Sequence, residues 1–212
     1  MPTITTDEKI DKRFGIPATE EKIQRTAKAL RDNGFKVDIV NDLKALHDLV
    51  IKRIPAGSEV FTATSATLDK AKLTEELNSD KFVSVRNKFM PLFGQADKQN
   101  EMKRIGSASD YAVGSVHAIT EDGQVVLASA SGSQIPNYAY GAKNFIWTVG
   151  SQKLVSDLDE AFERIENYSF HLEDERAQKA YGFHSSLNKI LIYRKEPAGR
   201  GAVIIIREPV GF

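Results

Sequence analysis

Apolar positions recur along this chain with two alternating periods. From Thr19 to Asn33 they fall at Ile23, Ala27 and Leu30, one stripe of a helix that Thr19 is placed to cap and Gly34 to end. FKVDIV (35–40) then alternates as a strand does. A second helix starts at Asp42 with Leu43, Leu46 and Val50 on one face and stops at Pro55-Ala56-Gly57. EVFTAT (59–64) reads as a strand, Leu68, Leu73 and Leu77 mark a third helix, and FVSV (82–85) is a short strand. Residues 88–104 read as helical, interrupted by Pro91 and Gly94.

The second half opens with a hairpin. SVHAIT and QVVLAS flank the Asp122-Gly123 turn, and NFIWTVG (144–150) follows as a strand of the buried type. The spacing of Val155, Leu158, Phe162 and Ile165 predicts a helix over 152–167. KILIYR and AVIIIR close the chain as two strands joined by KEPAGRG. Strands alternating with helices predict an α/β fold, with a mostly parallel central sheet covered by helices on both faces. The hairpin and a C-terminal strand pair add antiparallel pieces. No repeat, low-complexity segment or linker divides the chain. The expectation is one α/β domain over 1–212, with 1–18 as an N-terminal arm open to flexibility.

Composition narrows the function classes. The 29 Lys and Arg balance the 29 Asp and Glu over 212 residues, so no overall field draws the chain to nucleic acid or an anionic membrane. There are no cysteines, which removes disulfides, thiolate nucleophiles and any cofactor held through Cys; other cofactors are left unknown. The four histidines (His47, His117, His171 and His184) are scattered without ligand spacing, so no metal is expected. The polar start MPTITTDEKIDKRF is unlike a secretory signal. The apolar run 202–206 is far short of the ~20 residues of a membrane span, so a soluble cytoplasmic protein is expected.

In open α/β sheets ligands bind beyond the carboxyl ends of strands, where loops enter helices. Two loops fit. TATSAT places hydroxyls at Thr62, Thr64, Ser65 and Thr67 beside the free N–H groups of a helix start, although Ser65 or Thr67 serves equally well as an N-cap. SASGSQ offers Ser131, Gly132, Ser133 and Gln134, with Gly132 allowing close backbone approach, or else forms an ordinary turn. Glu121, at a strand end beside the fixed turn, is the candidate nucleophile or general base, and His117 shares its strand with Ser115. Each also has a structural reading, as a solvated turn residue and a hydrogen-bonded strand histidine. Lys143 is placed either to neutralise an anion or to cap helical carbonyls.

SVHAITEDGQVV, the small-residue loop, GAKNFIWTVG and KLVSDLDEAFERI together resemble the lactate-utilization (LUD) domain family. The order of elements around FKVDIV and IPAGSEVFTATSATLDKAKLTEEL, and the closing REPVGF, extend the resemblance from about Thr19 to the C-terminus. It implies a three-layer α/β fold similar to ribose phosphate isomerase, glucosamine phosphate deaminase and coenzyme A transferases. It also implies a substrate-handling role in oxidation of L-lactate to pyruvate, beside redox partner subunits, with a small anionic ligand (carboxylate or phosphate). The matching positions are Thr64, Ser65 and Thr67, then Ser115, Ala118, Ile119, Glu121 and Gly123. The chain departs from the family twice. Where many relatives carry a cysteine cluster it reads YGFHSSLNKILIYR, and where they read Asp-Gly-Thr-Gly-Asn-Arg it has SASGSQIPN. The alternative is a free-standing enzyme or binding protein for a phosphorylated sugar or coenzyme A ester, with Glu121 as base or nucleophile.

Overall fold

The computed structural model describes residues 10–197 and 199–212. Six strands form a wholly parallel central sheet: β1 (Lys36–Val40), β2 (Glu59–Thr62), β3 (Val83–Ser84), β4 (Ser109–Gly114), β7 (Ala142–Gly150) and β10 (Gly201–Ile206). Their order in space is β1-β10-β7-β4-β2-β3. Four shorter strands make a second sheet in the order β8-β5-β6-β9: β5 (Ala118–Thr120), β6 (Val125–Ser129), β8 (Leu154–Val155) and β9 (Lys189–Tyr193).

Alternation along the central strands divides the core. Ala202, Ile204 and Ile206 of β10, with Ile146 of β7 and Val60 of β2, face α2 (Leu43–Arg53), α3 (Ala66–Lys70) and α4 (Leu73–Leu77). Val203 and Ile205, with Phe145, Trp147 and Val149, face the other way. There they meet α1 (Glu20–Asp32), α5 (Val85–Phe89) and the inner side of the second sheet, with Ile105 of α6 (Gln99–Ile105) packed at the margin. A third cluster lies behind the second sheet, where Ala118, Val126 and Ala128 pack on Ala161 of α7 (Leu158–Arg164) and on Ile165.

The caps follow the sequence. Thr19 accepts a bond from Lys22 N at 3.3 Å, Asp42 from Ala45 N at 2.8 Å and Ser65 from Leu68 N at 3.4 Å.

Several boundaries differ from expectation. The helix expected over 152–167 begins at Leu158, where Asp157 accepts from Glu160 N at 2.9 Å. Residues Ser151–Lys153 form a 3₁₀ turn, and Val155 is spent on β8, which pairs with β5. The helical run then continues through a π turn (Ile165–Ser169) into α8 (Phe170–Tyr181). The first hairpin strand is interrupted: the chain leaves the central sheet after Gly114 and re-pairs in the second sheet only at Ala118. The two C-terminal strands form, but apart from one another. β9 pairs antiparallel with β6, whereas β10 lies between β1 and β7. Of the expected N-terminal arm, residues 1–9 lie outside the described residues. Phe14 is buried against Tyr168 and Ala118, and Asp11 N donates to Asn167 O at 2.8 Å, so this part is packed.

Gly114, where the chain leaves the central sheet, has no room for a side chain. A Cβ there would overlap the Tyr138 hydroxyl, which is itself buried without a hydrogen-bond partner among the described residues. Gly114→Ala should therefore cost about 1–3 kcal/mol in chemical denaturation. Tyr138→Phe, which removes the crowding oxygen, should be close to neutral alone and should recover much of that loss in the double variant.

Candidate functional site

The connection from β2 goes outward to β3, while those from β4 and β7 go the opposite way, to β7 and β10. The carboxyl ends of the adjacent strands β2 and β4 therefore bound the topological switch point, where ligands of such sheets bind. Four segments meet there: residues 62–67 after β2, 115–117 after β4, 150–153 after β7, and 207–212 after β10.

The centre is Lys153. Its side chain is fully buried, and Nζ donates to Ser115 Oγ at 3.0 Å and to Val116 O at 3.1 Å. Ser115 Oγ in turn donates to Thr148 O at 2.7 Å and lies 3.5 Å from Thr67 Oγ1, a contact rather than a firm bond. Lys153 is the donor here and the serine proton is committed to a carbonyl, so Ser115 is held as a polar wall and not set up as a nucleophile. Among the described residues no carboxylate pairs with Lys153. Burial, reinforced by the charge of Arg164, holds its pKa well below the usual lysine value.

Arg164 is the second buried cation. It donates to Gln152 O at 3.3 Å, His117 O at 2.6 Å and Ser169 Oγ at 2.7 Å, and it stacks over Tyr168. Its Nη2 has no hydrogen-bond partner among the described residues, and burial lowers its pKa to about 10. Between the cations, His117 Nδ1 accepts from Ala128 N at 3.1 Å. Burial, then the charges of Lys153 and Arg164, push its pKa down from about 6.5 to about 3, so the ring is neutral.

The segment after β10 lies over this centre as a strap. Gln152 Nε2 donates to Val210 O at 3.0 Å and Gly211 O at 2.9 Å, and its Oε1 accepts from Val210 N at 3.2 Å. Thr67 Oγ1 approaches Val210 O at 3.4 Å. Gly211, at φ +70°, sits so close that a Cβ there would overlap Thr67 Oγ1 and lie 3.4 Å from Lys153 Nζ. The outer side of Gln152 lines a cavity of about 260 Å³ with Phe14, Pro17, Thr19, Lys22 and Leu154.

The predicted site residues divide between three places. Thr62, Thr64, Ser65, Thr67 and Ser115 gather at the switch point with His117 behind them. Thr62 is buried with a hydroxyl that has no partner among the described residues, Thr64 Oγ1 accepts from Arg86 at 3.2 Å, and Ser65 caps α3. Glu121 stands at the hairpin tip, where it pairs with Arg25 at 3.1 Å and Lys22 at 3.6 Å. The tip itself rests on α1: Asn33 Nδ2 donates to Asp122 O at 2.9 Å, and a Cβ on Gly123 would strike the backbone of Ala29 and Leu30.

Ser131, Gly132, Ser133 and Gln134 lie at the other end of β6 from Glu121, so loop and carboxylate do not converge. There Gly132 N donates to Ser129 Oγ at 2.8 Å and Ser133 N to Ser131 Oγ at 3.3 Å, while Ser129 Oγ donates to Gln134 Oε1 at 3.0 Å. Lys143 is exposed at the amino end of β7, the opposite end of the sheet from the switch point. Sequence reasoning missed Lys153, Gln152, Arg164 and the strap. The available signal was position: Gln152 and Lys153 lie just past the carboxyl end of the buried-type strand NFIWTVG.

Among the described residues no group of three or more His, Asp or Glu is arranged to hold a metal ion, and no helix is long and apolar enough to cross a membrane.

A family model described as the LUD domain matches residues 23–189. Among solved structures, a DUF162 family protein from Deinococcus radiodurans is similar with a TM-score of 0.53 at 13% identity, over 90% of this chain and 99% of that chain, which bears on the fold alone. No curated protein matches the chain.

The depressed pKa of His117 predicts a pH dependence. The unfolded histidine takes up a proton near pH 6.5 and the folded one only near pH 3. The unfolded state therefore binds more protons between those values, and stability present above pH 6.5 is lost as pH falls toward 3. His117→Asn, which retains an acceptor for Ala128 N, should flatten the decline between pH 6.5 and 4. The difference from wild type should reach up to about 3 kcal/mol in urea titrations across pH.

Proposed function

The chain belongs to the LUD-domain family, a family associated with lactate utilization, and from that membership we propose that it binds a small carboxylate at the switch point between β2 and β4. The ligand class is a 2-hydroxy or 2-oxo acid. The role is that of a substrate-handling subunit in oxidation of L-lactate to pyruvate. Electrons pass to redox partner subunits, since this chain has no cysteine to ligate a cluster.

One observation carries the reading: Lys153 is a buried amine with no acidic partner among the described residues, at the place where α/β sheets bind ligands. An uncompensated buried cation is costly, and a carboxylate beside it offsets that cost and favours the protonated amine. Thr67 Oγ1, Gln152 Nε2 and Lys153 Nζ are donors converging on the space now shared with the Val210 and Gly211 carbonyls. Strap carbonyls and a ligand carboxylate are alike as acceptors, so binding exchanges one for the other.

A thermal-shift panel of lactate, pyruvate, inorganic phosphate, a sugar phosphate and coenzyme A tests this. A carboxylate at ~100 times its dissociation constant should add about 2.7 kcal/mol of stability. Lys153→Met, which keeps the volume and removes the charge, leaves the Val116 carbonyl without its donor and should cost about 1–3 kcal/mol, and the folded variant should lose that response. If no 2-hydroxy or 2-oxo acid shifts the wild-type midpoint, the reading is wrong. Glu121→Gln separates it from chemistry at the hairpin. Lactate-dependent turnover of the assembled system should survive that change, and its loss at unchanged stability would place the reacting group at Glu121.

A further inference from the structure

The second sheet ends in an open edge. β9 pairs with β6 on one side, in register from Lys189 opposite Ser129 to Tyr193 opposite Val125. Among the described residues its other side meets no strand, and no backbone group outside the sheet bonds to residues 189–193. In an antiparallel pair alternate residues turn their N–H and C=O away from the partner, so this edge presents a row of unpaired donors and acceptors. Proteins usually blunt such an edge by cover, proline or inward charge. Here it carries Ile190 and Ile192, 46% and 38% exposed.

A groove of about 450 Å³ runs along it. Its lining is Leu191, Ile192, Tyr193, Arg194 and Lys195, with Ala139 as the facing wall. Strand side chains alternate between faces, so a groove that touches five consecutive residues follows the edge rather than either face. Ala139 belongs to the π-helical turn Asn137–Gly141, and the next residue, Tyr140, is 91% exposed. The groove thus runs along an open hydrogen-bonding edge, with the π-helical turn across from it.

The charges select the occupant. Lys189, Arg194 and Lys195 lie on or beside the edge, while the nearest carboxylate in sequence, Glu196, is buried and committed to Arg200 at 3.0 Å and to Tyr193. A second copy paired through β9 would bring six cations into one short ribbon. An extended segment with acidic residues alternating with apolar ones meets all three features at once: backbone groups for the edge, apolar side chains for Ile190 and Ile192, and carboxylates for the flanking cations. We infer that β9 is a docking edge at which an acidic, extended segment of a partner polypeptide adds a fifth strand to the second sheet.

The test uses the full chain and a fluorescein-labelled peptide of alternating glutamate and valine, ten residues in length, followed by fluorescence anisotropy. Saturable binding that weakens with salt is expected. The double variant Arg194→Glu/Lys195→Glu should lose roughly tenfold or more in affinity and should gain affinity for the matching lysine–valine peptide. N-methylation of alternate amides along one peptide edge should abolish binding to the wild-type chain, a readout that does not depend on any variant folding. Equal binding of the lysine–valine peptide, indifference to N-methylation, or no binding at all would overturn the inference. So would a wild-type dimer in light scattering that Ile192→Asp dissociates, since the edge would then belong to a second copy.

Discussion

The structure depends on how the chain passes from one sheet to the other. Between Gly114, the last residue of β4, and Ala118, the first of β5, three residues must leave a parallel ladder and join a second sheet. Such a passage strips carbonyls of their strand partners inside the protein, where an unpaired polar group is costly. Two buried cations meet that need. Lys153 takes the Val116 carbonyl and the Ser115 hydroxyl, and Arg164 takes the His117 carbonyl. Both come from the segment that follows β7, so the passage is secured only once β7 has been laid beside β4. Arg164 also binds Gln152 O and Ser169 Oγ, which fixes the start of that segment to the helical run that follows it.

The space between the sheets is filled by aromatic rings. Phe145 and Trp147 on β7 lie with centroids 4.4 Å apart, and Phe35, Tyr138 and Tyr193 surround Trp147 at 5.5–5.8 Å. Tilted and edge-on contacts dominate, which suits the ring quadrupoles. Arg200 closes this cluster at its margin. It binds the carbonyls of Asn137, Tyr138 and Ala142 and pairs with Glu196, tying the start of β7 to the connection between β9 and β10. Glu196 and the Tyr193 hydroxyl form a bond of their own, and burial with that acidic neighbour raises the tyrosine pKa to about 12. The long connection between β9 and β10, which separates two strands that look adjacent in sequence, is thus held by polar contacts at both ends.

These features set how much was legible beforehand. The α/β class, the parallel sheet and helices α1 and α2 follow from local periodicity, because Ile23, Ala27 and Leu30 are buried for the reason their spacing suggests. The loop 62–67 was singled out because a loop after a strand marks the carboxyl edge of a sheet, whereas Ser115, read as part of the hairpin strand, lies in the passage between the sheets. Lys153 was hidden by a period: Val155, Leu158, Phe162 and Ile165 fit a helical stripe, yet Val155 is claimed by pairing with β5, a contact remote in sequence. Arg164 carried a fainter signal, a charged residue beside Ile165 and three after Ala161, on what becomes the buried side of α7. β4 was missed because SASDYAVG has little apolar alternation until it is enclosed by β2 and β7. Each omission is a case of tertiary pairing overriding local pattern.

The same passage runs from the switch point toward the open edge of the second sheet. Ile190 of β9 sits opposite Ala128 of β6, Ala128 N donates to His117 Nδ1, and the His117 and Val116 carbonyls are held by Arg164 and Lys153. The open edge and the switch point are thus joined through one strand pairing and a short run of hydrogen bonds, in which His117 and Lys153 are both titratable. Because that ring is neutral and its Nδ1 is an acceptor, the bond from Ala128 N is intact at neutral pH and is lost on protonation, which the neighbouring cations oppose. A histidine on a strand usually earns its place by a single bond. This one bonds β6 through its ring and Arg164 through its carbonyl, so it ties the second sheet to the residue that also holds the Gln152 carbonyl at the switch point.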